Sequence, residues 1–217
     1  MNSLMESQVS AALLELGEQY GIALSESAVN VCLQHFRVLL KWNRVMNLVG
    51  DLTVENAVRR HYGESLFLSI ALGASWRRVV DYGSGAGFPG IGIGALRADF
   101  QVTLLEIRQK RVAFLREATR SVANLNVFGG SAIDYPDALD VVVARAVDIG
   151  EVLDFATHRG VPACLLVGSV DAEKWASRLD EQGRHYTIAS VPWRPQSVVL
   201  SVDPVDSTTI PSKSRST

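Results

Sequence analysis

The spacing of apolar and polar residues along the chain changes near residue 72. Before it, apolar residues recur at helical spacing in Leu4–Tyr20, which Gly21 ends, and again after Ser25, a residue suited to cap a second helix. One face of that second helix carries Val29, Leu33, Phe36 and Leu40. Residues 1–72 are therefore predicted to form a helical extension.

From Val79 onward, short apolar runs alternate with helical patterns. The runs are Arg78–Asp81, Gln101–Glu106, Asn126–Phe128, Val141–Ala144, Ala163–Val167, Tyr186–Val191 and Ser197–Val202. Helices are predicted after Pro89 and over Gln109–Val122, Ile149–His158 and Ala172–Glu181. Such alternation is typical of a mostly parallel sheet with helices on both faces. Only Pro192–Gln196 separates the last two runs, which favours an antiparallel last strand. We predict a Rossmann-like α/β domain over residues 73–203.

Composition adds several expectations. With 217 residues, 47% of them hydrophobic, the chain can bury a sizeable core. Its apolar runs are too short to span a bilayer and no secretory signal precedes them, so we expect a cytoplasmic monomer without membrane contact. Cys32 and Cys164 are predicted to be buried thiols, and no metal site is predicted. The polar residues of 204–217 predict a disordered tail.

The richest segment chemically is VVDYGSGAGFPG, residues 79–90. It places Gly83, Gly85, Gly87 and Gly90 between a strand and a helix that Pro89 can begin. Glycines permit positive φ and let the backbone approach a ligand closely. The segment therefore predicts a nucleotide-binding edge.

Two cofactor classes use such an edge. Residues 85–90 match the dinucleotide pattern GxGxxG, in which a helix start receives a pyrophosphate. Asp81, however, precedes the first glycine, where a carboxylate can meet the cationic amino-acid group of S-adenosylmethionine directly or through water. Glu106 ends the next apolar run and can accept ribose hydroxyls of either cofactor. We favour S-adenosylmethionine and keep an NAD(P)-dependent oxidoreductase as the alternative.

Three blocks of sequence resemble one family, the bacterial RsmG or GidB proteins, which methylate guanine N7 in small-subunit ribosomal RNA. The blocks are KWNRVMNL at 41–48 with RHYGES at 60–65, the segment from Val79 to Glu117, and DVVVARA at 140–146. The resemblance runs in order from Ser25 to Val202. It implies a class I methyltransferase sheet, S-adenosylmethionine as donor, and small-subunit RNA or an assembling subunit as partner. The family site it implies is guanine 527 of that RNA.

Carried onto this chain, the resemblance implies a set of donor-binding residues. Together with the turn, the set is Asp81, Gly83, Ser84, Gly85, Gly87, Phe88, Glu106, Ala132, Ile133, Asp134 and Arg145. Arg145 is also the candidate catalytic residue. An arginine directly after the apolar run Val141–Ala144 is unusual, because a buried guanidinium is costly unless it is paired. Contact with the donor carboxylate or with RNA, and a surface salt bridge, both remain open for it.

Candidate RNA contacts are local, because a net charge of −2 gives no general attraction to phosphate. Arg37, Lys41 and Arg44 follow helical spacing beside Trp42, and Arg108 and Arg111 lie in a basic stretch after Glu106. Basic side chains position phosphates, and an aromatic ring can stack on an unpaired base. Solvated faces are the alternative for both clusters. His61 is either an RNA contact or a hydrogen-bonded structural histidine.

Three positions depart from the family pattern. Val167 and Ser131 stand where basic residues are common, and Glu64 replaces an aspartate. These departures keep two further hypotheses open: a divergent methyltransferase that acts on another RNA, and a non-catalytic RNA-binding paralogue.

Overall fold

The computed structural model describes residues 2–205, and the helical extension comes first. Its helices are α1 (Asn2–Tyr20), α2 (Glu26–Met46), a π-helical segment (Asn56–Gly63) and α3 (Glu64–Ala71). The Ser25 hydroxyl caps α2 by accepting the Ala28 N–H at 3.1 Å. The buried face of α2 is rotated relative to the predicted face. Cys32, His35 and Leu39 are buried, whereas the predicted Leu33 and Leu40 are only half-buried.

Seven strands form one sheet in the order β3-β2-β1-β4-β5-β7-β6. They are β1 (Arg78–Tyr82), β2 (Gln101–Leu105), β3 (Leu125–Phe128), β4 (Val141–Arg145), β5 (Ala163–Gly168), β6 (Tyr186–Val191) and β7 (Arg194–Val202). Strands β1 to β5 pair in parallel, and β7 runs antiparallel to both β5 and β6. The predicted α/β class with an antiparallel last strand is confirmed. That strand lies inside β6, which forms the sheet edge.

Helices cover both faces of the sheet. They are α4 (Gly90–Leu96), α5 (Gln109–Thr119), α6 (Ile149–Arg159) and α7 (Ser169–Glu181). Helix α5 ends three residues before its predicted end. Alternate strand residues point to opposite faces, so Val79 and Val141 join one apolar cluster and Val80 and Val142 join the other. The first cluster also contains residues of α1, α2 and α3, so the extension shares a core with the sheet.

The structure also bears on what the sequence predicted for the cysteines, for membrane spans and for the tail. Cys32 and Cys164 are both buried free thiols, as predicted. Over residues 2–205, every helix falls short of the length and apolarity needed to cross a membrane. Of the predicted tail, 206–217 lies outside the described residues. The carboxyl ends of the central strands meet at one edge, where parallel α/β sheets bind ligands.

Candidate active site

The glycine turn follows β1 and adopts backbone angles that favour glycine. The φ values are +67° at Gly83, +55° at Gly85 and +86° at Gly87. A Cβ on Gly83 would lie 2.7 Å from Val147 Cγ1, so the turn also requires close approach. Ser84 anchors the turn, since its N–H donates to the Leu105 carbonyl at 3.0 Å and its hydroxyl to the Asp81 carbonyl at 2.8 Å.

Asp81 lies beneath the turn rather than in the open cavity. Its side chain is fully buried, and Oδ2 accepts the Gly90 N–H at the start of α4 at 3.0 Å. Burial raises the pKa of this carboxyl to about 7. Oδ1 has no partner among residues 2–205. Asp81 therefore does not line the cavity over the glycine turn in this conformation, and the unpartnered oxygen suits the predicted alternative of a bridging water.

Glu106 joins the turn to the start of α5. Its Oε2 accepts the Gly85 N–H at 3.1 Å, and its Oε1 accepts the Arg108 N–H at 2.9 Å. Arg111 Nη1 lies 3.6 Å from Oε2. Each carboxylate oxygen offers two lone pairs, so the predicted ribose acceptor keeps capacity for hydroxyl donors. Glu106 is nevertheless buried and does not line the cavity over the glycine turn in this conformation. The predicted RNA contact Arg111 instead lines the cavity over the glycine turn.

Arg145 ends β4 and points into the helical extension. Its Nη1 donates to the Arg60 carbonyl at 2.9 Å and lies 3.6 Å from Glu64 Oε2, while its Nη2 donates to His61 Nδ1 at 3.0 Å. Only 14% of the side chain is exposed, and burial lowers the pKa of the guanidinium. A surface salt bridge therefore does not explain this arginine, because its side-chain partners Glu64 and His61 are buried.

Glu64 holds a second cation at the same place, a connection that sequence reasoning missed. Its Oε1 accepts from Arg194 Nε at 2.8 Å and from the Ser197 hydroxyl at 2.7 Å. Its residue exposure is 4%. One buried carboxylate thus joins α3 to the ends of β4 and β7. The resemblance marked position 64, but Arg194 carried no sequence signal of its own.

A group of rings packs the extension against Phe88 of the turn. His61 stacks on Phe88 with ring centroids 5.0 Å apart, and His35 and Tyr62 meet it edge-on. His35 Nε2 lies 2.9 Å from the carbonyl of Ala86. Burial, reinforced by the Arg145 charge, lowers the pKa of His61 to about 3, and burial lowers that of His35 to about 4. His61 is thus a buried neutral histidine at the wall of the candidate site.

Two cavities meet at the end of β4. The smaller, of about 170 Å³, is bounded by the glycine turn, Phe88, His61 and Arg111. The larger, of about 340 Å³, lies over the ends of β4, β5 and β7 and includes Arg60, Glu64 and Arg194. Arg145 and Ala146 line both cavities. The arrangement suits two ligands that react where the cavities join.

The predicted adenine contacts lie beside a different cavity. Ala132, Ile133 and Asp134 form a single 3₁₀ turn. Ala132 and Ile133 line a cavity of about 320 Å³ with Tyr82 and Phe155, whereas Asp134 is exposed and does not line it. Ile133 is 85% exposed. The described conformation therefore does not bring these residues into one cavity with the glycine turn.

The candidate RNA contacts on α2 are surface cations that already have acidic neighbours. Arg37 pairs with Glu6 and Lys41 with Glu117, both in exposed geometry. The Trp42 indole is half-buried and donates to the second oxygen of Glu117 at 2.8 Å. Arg44 and Arg108 are exposed. Lys41 and Trp42 thus join the extension to α5, in addition to any contact with RNA.

The dinucleotide alternative fits this geometry poorly. It requires a pyrophosphate at the start of α4, yet the Asp81 carboxylate already accepts the Gly90 N–H there. A second anion at that point would meet a buried acid. The antiparallel β7 between β5 and β6 also differs from the parallel order of a dinucleotide-binding sheet.

Comparisons with known proteins agree with this geometry. Solved structures of similar fold include a methyltransferase from Aquifex aeolicus that depends on S-adenosylmethionine (11% identity, 68% of this chain and 92% of that one, TM-score 0.53) and the METTL16 methyltransferase domain (12%, 80% of each, TM-score 0.53). At such identities they show the fold alone, and that fold is of the class I methyltransferase type.

Sequence relatives are more similar. The Burkholderia ambifaria ribosomal RNA small subunit methyltransferase G is 35% identical over 75% of this chain and 74% of the relative. The protein of that name from Roseiflexus castenholzii is 30% identical over 89% and 84%. The family model for rRNA small subunit methyltransferase G matches residues 29–167. The chain therefore belongs to the rRNA small subunit methyltransferase G family.

Proposed function

We propose that this protein transfers a methyl group from S-adenosylmethionine to N7 of a guanine in small-subunit ribosomal RNA, at the family site, guanine 527. The observation that carries the proposal is the junction of two cavities at Arg145 and Ala146, at the carboxyl ends of the central strands. Family membership supplies the reaction class, and the junction supplies a place for it.

The glycine turn at the smaller cavity, with Asp81 and Glu106 buried behind it, fits the donor. Glycines with positive φ allow close approach, Glu106 offers lone pairs to ribose hydroxyls, and the unpartnered Asp81 Oδ1 suits a water that reaches the ammonium group. Arg145 is positioned to attract the donor carboxylate. When bound, the donor supplies an electrophilic methyl carbon on a positively charged sulfur.

Guanine N7 requires no general base. Its lone pair forms the new bond to the methyl carbon while the bond from carbon to sulfur breaks, and the sulfur takes that electron pair. No proton leaves N7, and the positive charge moves from sulfur to the purine. The protein's contribution is alignment of the two reactants and exclusion of water. The neutral, buried His61 and the packed ring of Phe88 form an apolar wall suited to that purpose.

Transfer of labelled methyl from S-adenosylmethionine to small subunits lacking the modification, with the product base mapped, tests the proposal. Native protein is expected to label one guanine at N7. Arg145→Ala is expected to lose at least about 100-fold in rate, as when a charged group that orients a reactant is removed. Arg178→Ala, which changes an exposed arginine of α7, is the matched control and should retain the native rate.

The outcomes separate the hypotheses. Label on another RNA but not on the small subunit would support the divergent methyltransferase. RNA binding without label on any substrate, despite donor binding, would support the non-catalytic paralogue. An adenine or a guanine atom other than N7 as the labelled position would contradict the proposed specificity.

A further inference from the structure

The larger cavity contains charged side chains of both signs. Arg145 and Arg194 gather around Glu64, whose oxygens are already shared among Arg145, Arg194 and Ser197. Asp171, in the first turn of α7, also lines the cavity. A Cβ on Gly168, at the cavity wall, would lie 3.7 Å from Asp171 Oδ2. Asp171 is thus an acid of the cavity lining whose oxygens are not taken up by the buried arginines.

The junction of the two cavities indicates where the reacting atom lies. Arg145 and Ala146 line both cavities, so a base that reacts there directs its nucleophilic edge towards them. In guanine that edge carries the acceptors O6 and N7. The Watson–Crick edge carries the donors N1–H and N2–H₂, which the Asp171 carboxylate in the cavity lining can accept.

We propose that Asp171 is a specificity-determining residue that accepts hydrogen bonds from N1–H and N2–H₂ of the target guanine. This inference rests on the proposed function and adds the subsite that selects the base. Adenine presents an acceptor at N1, which would oppose the carboxylate, so this contact disfavours adenine. Lys174 Nζ lies 3.6 Å from Asp171 Oδ1, and both side chains are largely exposed to solvent.

The same contact strengthens as the reaction proceeds. Methylation at N7 places positive charge on the purine, which makes N1–H a better donor to a carboxylate. An interaction that is stronger in the transition state than in the ground state raises turnover as well as affinity. Removal of the Asp171 carboxylate should therefore lower kcat on guanine in addition to weakening RNA binding.

A cycle of two RNAs and two proteins tests this assignment. One RNA carries guanine at the target position and the other carries inosine, which keeps N7, O6 and N1–H but lacks the N2 amino group. Native protein is expected to prefer guanine by about 10-fold in kcat/KM, the value of one hydrogen bond to a charged acceptor. In Asp171→Ala the preference should fall to less than about 2-fold.

Glu173→Ala removes an exposed acid of the same helix and is the matched control. It should keep the native preference. Affinity for both RNAs, measured with the demethylated donor product present, gives a readout independent of turnover and should change in the same direction. An equal preference in native protein and Asp171→Ala would overturn the role of Asp171 while leaving the proposed function intact. Failure of native protein to label guanine would overturn both.

Discussion

The walls of the two adjoining cavities are built in two different ways. The glycine turn of the sheet domain contributes backbone, because Gly83, Gly85 and Gly87 have positive φ angles that favour glycine. The helical extension contributes side chains to the wall. His35 and His61 pack against Phe88, and the Glu64 carboxylate pairs with Arg145 and Arg194. Under the proposed function, the sheet turn would receive the donor through its backbone, whereas the extension holds the charged groups of the adjoining cavity.

The largest expected effect on donor binding comes from breaking the backbone wall. Gly85→Asp places a side chain at a φ of +55° and adds a carboxylate near Glu106, whose Oε2 accepts the Gly85 N–H. Donor affinity should fall by at least about 100-fold, or roughly 2.7 kcal/mol, and methyl transfer with it. Isothermal titration with the donor measures the change.

Its control uses the same chemistry elsewhere. Gly160 caps α6 at a φ of +65° with open space around it. Gly160→Asp should cost some stability through the same strained conformation but leave donor affinity within about 2-fold. Equal loss of donor binding in both variants would mean that the turn at Gly85 has no special role.

The next effect concerns the buried charge of the extension. Glu64→Gln leaves Arg145 and Arg194 without their shared counter-ion, and uncompensated buried charges typically cost about 3–5 kcal/mol. Glu117→Gln removes a comparable link between extension and sheet domain, but that ion pair is exposed and should contribute less than about 1 kcal/mol. Urea unfolding of both variants measures the difference.

Glu64→Asp sharpens this comparison because it keeps the charge and shortens the side chain. Glu64→Asp should recover much of the stability lost in Glu64→Gln. Its kcat should still be below the native value, because the arginines would be held in altered positions. Similar stability of the Gln variant and the native protein would show that the buried network does not couple the two regions.

A smaller effect is expected from acid. Burial lowers the pKa of His35 to about 4 from its ordinary 6.5, so the folded state binds fewer protons than the unfolded state between those values. The contribution of His35 to stability should therefore fall as pH drops below 6.5, by about 1.4 kcal/mol for each unit until about pH 4. His35→Gln should lose this contribution, as measured by urea unfolding at pH 7.5 and 5.0.

Two features keep the acid experiment specific. His61, whose pKa burial lowers to about 3, contributes a slope of the same sign, and Asp81, with its raised pKa, contributes the opposite slope between 3.8 and about 7. Both contributions cancel when His35→Gln is compared with native protein. His185→Gln changes an exposed histidine and is the control substitution. An unchanged slope in His35→Gln would exclude buried, neutral His35 as its source.

The smallest effects belong to the surface of α2. Lys41→Ala should change stability by less than about 1 kcal/mol, because the pair with Glu117 is exposed. If Lys41 meets phosphate, RNA affinity should fall modestly and the salt dependence of binding should decrease by about one unit of slope. Glu117→Gln frees Lys41 and should strengthen RNA binding. Affinity that is unaffected by both changes would assign this cluster to a solvated face.

The backbone wall was predictable from sequence, whereas the side-chain wall was largely not. Four glycines between an apolar run and a helix start form a local signal, and the sheet followed from alternating runs. The contact of Glu64 with Arg194 spans 130 positions, and that of His35 with Ala86 spans 51. Local patterns carry no information about such pairs. The orientation of the Asp81 carboxylate towards Gly90, beneath the turn, likewise depends on the packing of α4.

The most direct test of a site shared by the two regions is a crystal structure with the demethylated donor product, S-adenosylhomocysteine. We predict that the ligand lies along the glycine turn, with its ribose hydroxyls bound to Glu106 and its amino-acid end near Arg145. The rings of His61 and Phe88 should lie at its side. A ligand bound through the sheet domain alone, with Arg145, His61 and Glu64 out of reach and unmoved, would contradict the account.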